Sequence, residues 1–238
     1  MVCLPHAGGS ASFYFPVSKA LSPEIEVLAV QYPGRHDRRL EPCVEDIGVL
    51  ADRIVEALGP WTADGAAPAF FGHSMGATLG FEIAARLERG TGPGVAHLFA
   101  SGRRAPSTYR DERVHERDDA GILSELRQLE GTELGLLEDP EMRELLMPAI
   151  RGDYTAVEAY RHTPGTVLEC PVTVLTGDRD PKTGLDEAKA WSEHTSGPFD
   201  LKVYSGGHFF LLQHVPEVLR LLRRTLVPAG RSLAGPAR

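Results

Sequence analysis

Apolar residues along this chain follow two rhythms. Short runs rich in β-branched or aromatic residues occur at Val2–Leu4, Ile25–Tyr32, Ala69–Gly72, Val95–Ala100, Val172–Leu175 and Leu201–Tyr204, and they predict strands. Between them the spacing lengthens. Ile47, Leu50, Ala51, Ile54, Val55 and Leu58 fall three or four residues apart and place one apolar stripe along a helix. Strands alternating with amphipathic helices need crossover connections, so the pattern predicts an α/β fold with a mostly parallel sheet covered on both faces.

One connection is too long for a simple crossover. About 65 residues separate the strand before Ala105 from the strand after Glu169, where roughly a dozen to thirty would suffice. Within it, "DDAGILSELRQLE" and "DPEMRELLMPAIRGDYTAVEAYR" read as helices. The expectation is a single domain, 1–238, with a helical insertion over about 110–165, the natural place for a substrate lid. The final stretch, 228–238, "PAGRSLAGPAR", has little to bury and is expected to be a flexible tail.

Composition narrows the function classes. With 42% apolar and 24% charged residues the chain reads as a soluble globular protein. A formal charge of −8 supplies no electrostatic reason for a nucleic-acid partner, and no apolar run is long enough for a membrane span. The N-terminus "MVCLPHAGGS" has no charged leader ahead of an apolar core, so a cytoplasmic protein is expected. Cys3, Cys43 and Cys170 are far apart and form no CxxC pair, which points to buried thiols in a reducing compartment; neither metal nor cofactor is called for.

The chemistry concentrates in "FFGHSMGATLGFE", Phe70 to Glu82. A serine between two glycines, after a strand and before a helix, is the pattern of a nucleophile elbow: Ser74 occupies a strained turn, and Gly72 and Gly76 remove side chains that would collide. The turn also sets the serine at a helix N-terminus, whose N–H groups face developing negative charge. A serine needs a base, and the base an orienting acid. Of nine histidines, His208 in "VYSGGHFFL" follows the last strand through two glycines, whereas His214 falls in the final helical pattern. For the acid, "VTVLTGDRDP" offers Asp178 and Asp180, which position alone does not separate; Asp153 in the insertion is a third candidate. The order serine, acid, histidine is that of an α/β-hydrolase. The first loop, "LPHAGGSAS", lets backbone approach a substrate closely, so the N–H groups of Ala7 and Met75 are the candidate oxyanion donors.

"LPHAGGSAS", "QYPGR", "FFGHSMGA", "ASGRRAP", "TGDRDP" and "GGHFFL" follow one another as they do in type II thioesterases, the free-standing editing enzymes of non-ribosomal peptide and polyketide synthases, which this chain resembles over nearly its whole length. The resemblance implies that the aspartate of the Asp-Pro pair, Asp180, is the catalytic acid. It also implies a mobile lid, and a substrate acyl group borne on the phosphopantetheine arm of an acyl or peptidyl carrier protein. A monomer is expected. Because such carriers are acidic, Arg103, Arg104, Arg110 and Arg113 in "SGRRAPSTYRDER" are candidates for a basic entrance, with Arg103 and Arg104 foremost for receiving the carrier or its phosphopantetheine phosphate.

Overall fold

A computed structural model describes residues 1–129 and 134–227. Six strands form one parallel sheet: β1 (Val2–Leu4), β2 (Leu28–Ala29), β3 (Ala69–His73), β4 (His97–Ser101), β5 (Val172–Gly177) and β6 (Phe199–Tyr204), in the order β2-β1-β3-β4-β5-β6. Adjacent residues of the central strands point to opposite faces. Phe70, Leu98 and Val174 pack on one side with helices α2 (Ile47–Thr62) and α3 (Met75–Arg89); Phe71, Phe99 and Leu175 pack on the other with α1 (Phe15–Leu21) and the final helix, α7 (Val215–Leu226). Each fully buried phenylalanine contributes roughly 2–3 kcal/mol through removal of apolar surface from water.

Five of the six strand expectations hold to about two residues. The exception is Ile25–Tyr32, of which only Leu28–Ala29 is strand. That segment is an edge paired solely with β1, whose three residues offer a short ladder (Val2 with Leu28, Cys3 with Ala29), and Pro33 closes it off. The final helix starts one residue after His214, because Pro216 belongs in a first turn, so His214 flanks the helix rather than lying inside it. Its Nε2 lies 2.8 Å from the Ser205 carbonyl.

The long connection between β4 and β5 carries α4 (Asp119–Gln128), α5 (Leu134–Glu138) and α6 (Pro140–Ala159). Asp118 caps α4 through the Gly121 N–H (2.8 Å), and Asp139 caps α6 through the N–H groups of Glu141 and Met142. This insertion has a small core of its own, with Val114, Ile122, Leu123, Met147, Ile150 and Tyr154 clustering apart from the two sheet layers. The tail 228–238 lies outside the described residues.

The sheet also fixes where a ligand belongs. From β1 the chain moves to β2 on one side, then crosses to β3 on the other, and that reversal opens a crevice at the C-terminal ends of β1 and β3. The loops leaving those two strands carry Ala7 and Ser74.

Candidate active site

β3 ends at His73 and α3 begins at Met75, so Ser74 alone turns the chain between them. Its backbone angles, φ 54° and ψ −116°, are rare for a residue with a side chain. They persist because the Ser74 N–H donates to the Ser101 carbonyl (2.8 Å) and the Ser74 carbonyl accepts from the Ala77 N–H (2.9 Å). The same tightness dictates both glycines. A Cβ on Gly72 would lie 2.0 Å from the Gly76 carbonyl oxygen, and one on Gly76 would lie 2.0 Å from that of Leu4. Gly76→Ala should therefore cost about 3 kcal/mol or more, read as a fall in Tm of roughly 6–12 °C. An unchanged Tm would show that the turn relaxes without cost.

His208 follows β6 and Asp180 follows β5. The two loops lie backbone against backbone: a Cβ on Gly177 would sit 2.3 Å from the Gly207 carbonyl oxygen. The His208 Nδ1 is 3.0 Å from each Asp180 carboxylate oxygen, with side chains 2% and 0% exposed. Asp180 Oδ1 also accepts the Lys182 N–H (2.8 Å), which fixes the carboxylate. Asp178, on a side chain 48% exposed, instead accepts the Gly206 N–H (2.8 Å) and braces the loop that leads to His208. Asp153 has another set of partners altogether: both its oxygens engage Arg35, at 2.6 and 2.7 Å, and Oδ2 accepts the Gly8 N–H at 2.7 Å.

Ser74, His208 and Ala7 line one cavity. Among the described residues Ser74 Oγ and His208 form no direct hydrogen bond, a contact that in ligand-free sites commonly tightens only when substrate arrives. Among the described residues, the N–H groups of Ala7 and Met75 make no backbone hydrogen bond in the loops and caps.

Two further histidines flank the site. His73 Nδ1 lies 3.0 Å from Ser101 Oγ, and the His73 and His208 rings are 5.0 Å apart. Burial, reinforced by the proximity of His208, pushes His6 down to about 3 and His73 well below its ordinary value. Both therefore stay neutral near pH 7 and do not compete with His208 for a proton. Their folded values lie below the unfolded value of about 6.5, so the stability they support is present above 6.5 and lost as pH falls toward about 3. Thermal unfolding between pH 7 and pH 4 should show a falling Tm, with a shallower fall for His6→Gln; identical slopes would sink this account.

The cavity has two characters. Leu126, Leu129, Leu137, Leu146 and Ile150 of the insertion make an apolar wall, while Arg103, Glu112, Glu158 and Lys182 make a polar one. Burial opposes the charge on Glu112, but Arg104 and Lys182 outweigh it and hold the carboxyl down to about 2. Arg104 is buried against Glu112 (2.9 Å), and Arg103 donates through Nε to Thr78 Oγ1 (3.1 Å) from within the cavity wall. This corrects the expectation for Arg104, which is buried in an ion pair, whereas Arg103 is half-buried and lines the cavity. Of their neighbours, Arg110 pairs with Glu187, and Arg113 is exposed but pairs with Asp111. Charge reversal at both Arg103 and Arg104 should impair small and carrier-bound thioesters alike, because it disrupts the cavity itself.

Sequence reading also missed Arg35, whose "QYPGR" setting gave no sign of a partner in the insertion, and the Glu112–Lys182 pair, which joins separate loops. Cys3 and Cys170 are buried as expected, whereas Cys43, in a loop beside Gly34, is only partly buried; burial pushes the Cys3 thiol up to about 12. Among the described residues no group of three or more His, Cys, Asp or Glu is placed to hold a metal, and no helix is long and apolar enough to cross a membrane.

Comparison with known proteins agrees with this geometry. Residues 1–226 match the thioesterase domain family. The chain is 55% identical over 228 residues to a Streptomyces griseus protein named "Probable cadicidin biosynthesis thioesterase", covering 96% of this chain and 62% of that one. It is 53% identical to thioesterase PikA5 of Streptomyces venezuelae, over 92% of this chain and 77% of the relative. The solved structure of BorB, the type II thioesterase from the borrelidin biosynthetic cluster, superposes with a TM-score of 0.86 at 49% identity, covering 94% of this chain and 91% of BorB. A strained serine turn at the switch point of a parallel sheet, with histidine and aspartate on the last two strand loops, thus coincides with a family match over nearly the whole chain, and the protein belongs to the thioesterase family as an α/β-hydrolase of the type II thioesterase kind.

Proposed function

We propose that this thioesterase removes acyl groups from the phosphopantetheine arm of acyl or peptidyl carrier proteins of a polyketide or non-ribosomal peptide synthase, through Ser74, His208, Asp180 and an acyl-enzyme. The observation that carries the reading is the pairing of a strained Ser74 at the head of α3 with a buried His208–Asp180 couple on the same cavity. Ser74 Oγ attacks the thioester carbonyl while His208 Nε2 takes its proton. The N–H groups of Ala7 and Met75 hold the oxyanion. The sulfur leaves as a thiol, taking the proton back from His208. Water, activated by His208, then attacks the acyl-Ser74 ester and releases a carboxylic acid.

A thioester suits this site because the departing thiol has a pKa near about 8.5, far below that of an alcohol, so its expulsion needs little proton donation. An apolar wall of leucines suits the acyl chain. The test compares hydrolysis of an acyl-carrier protein with that of an oxygen ester of the same acyl group, with intact mass used to detect the acyl-enzyme. Higher kcat/KM on the carrier thioester supports the proposal; preference for the oxygen ester overturns it in favour of a small-molecule esterase.

The insertion serves as the lid. Pro148 interrupts the hydrogen-bond ladder within α6 and separates the stretch beginning at Pro140 from a C-terminal half tied down by Asp153 and by the Tyr160 hydroxyl on Glu82 (2.7 Å). Amide exchange should be faster over α4 and residues 140–147 than over β3 and β4. Equal protection would count against a moving lid.

A further inference from the structure

We infer that Asp153 and Arg35 are positioning residues for the oxyanion loop, so that the docked half of α6 and a working oxyanion hole form together. The inference rests on the proposed role of the Ala7 N–H. Asp153 comes from the insertion, and Arg35 from the loop after β2; their side chains are each 3% exposed and joined by two hydrogen bonds of 2.6 and 2.7 Å. Such a fork-on-fork geometry leaves little angular freedom. What the pair holds is backbone. Asp153 Oδ2 accepts the Gly8 N–H at 2.7 Å, and Arg35 Nη1 donates to the Gly9 carbonyl at 3.1 Å.

Fixing the Gly8 N–H fixes the peptide plane joining Ala7 to Gly8, the neighbour of the His6–Ala7 plane that carries the Ala7 N–H, and so restricts how that donor can turn. Gly8 has φ +76°, a left-handed conformation that glycine adopts freely and so does not itself enforce. Packing acts in the same direction: a Cβ on Gly8 would lie 2.8 Å from Ile150 Cγ1, so α6 rests directly on the loop. On the far side the loop is tied to the body of the protein by the Tyr32 hydroxyl on the Pro5 carbonyl (3.0 Å). The Ala7 N–H therefore sits between one fixed anchor and one supplied by the insertion. If α6 withdraws, the carboxylate leaves Gly8, and the peptide carrying the donor keeps only the bond within the loop from the Gly9 N–H to the His6 carbonyl (2.9 Å).

A positioning role separates from a purely structural one in kinetics. The variants are Asp153→Asn, Asp153→Ala and the paired apolar replacement Arg35→Met with Asp153→Leu, assayed on a small acyl thioester with kcat normalised to serine titratable by a fluorophosphonate. Asp153→Ala should lower kcat about 10- to 100-fold with little change in KM, below the loss from deleting a donor outright. Asp153→Asn retains one acceptor for Gly8 and should fall between. The paired replacement removes both buried charges together, so its Tm should recover relative to Asp153→Ala while kcat stays low. Recovery of kcat together with Tm would overturn the inference, as would normal kcat per titratable serine in Asp153→Ala. Should the paired variant not fold, the graded Asn and Ala series decides alone. Ser74→Ala runs in parallel: if it retains turnover, the serine reading itself fails, whereas an inactive Ser74→Ala beside a fully active Asp153→Ala overturns only the positioning role.

Discussion

Ser74→Ala should lower thioester hydrolysis by at least about 10⁴-fold, because it removes the hydroxyl proposed to form the acyl-enzyme while leaving the proposed oxyanion donors in place. The fold should not notice. The Ser74 side chain makes no cap to α3, and the turn is held by backbone hydrogen bonds that alanine keeps. A sharper version uses Ser74→Gly. At φ 54°, ψ −116° a side chain costs about 1–3 kcal/mol of strain, against which glycine loses roughly 0.5–1 kcal/mol in chain entropy. Ser74→Gly should therefore be inactive and yet more stable than the parent, with Tm raised by a few degrees. Stability bought at the expense of the nucleophile is the mark of an active-site turn. Intact mass after incubation with an acyl thioester should show the adduct on the parent only, and an adduct on Ser74→Ala would place the nucleophile elsewhere.

How much of this was legible beforehand follows from the range of the interactions concerned. The elbow was legible because everything that makes it is local: an apolar run, a serine, two glycines and a helix within thirteen residues. The placement of Ser74, of the Asp178–Asp180 pair and of His208 on loops at strand ends was legible because each follows a strand whose pattern is itself local. What failed to show is long-range. Arg35 and Asp153 are 118 residues apart in sequence, and nothing in either neighbourhood announces the other. Arg104 looked like part of a solvated basic run because charge run and burial cannot be told apart when the burying partners, Glu112 and the Lys182 loop, arrive from elsewhere. The short β2 belongs to the same class, since its length is set by the strand it pairs with and not by its own propensity.

Between the two neighbouring aspartates the expected difference is large. Asp180→Asn should cost about 10⁴-fold in kcat, whereas Asp178→Asn should cost less than about tenfold. Both oxygens of Asp180 stand 3.0 Å from His208 Nδ1 and both side chains are buried, so the carboxylate favours the tautomer with its proton on Nδ1, which leaves Nε2 as the acceptor the proposed mechanism needs. An asparagine there can turn its amide N–H toward Nδ1. The ring would then accept at Nδ1 and carry its proton on Nε2, where it cannot act as a base, although nothing has moved. Asp178 has a different task. Its Oδ1 accepts the Gly206 N–H at 2.8 Å and steadies the loop before His208, and asparagine supplies the same acceptor. The steady-state rates of the two variants, measured at equal stability, decide between the carboxylates. Greater damage from Asp178→Asn would mean that the loop brace, not the buried carboxylate, is what His208 depends on.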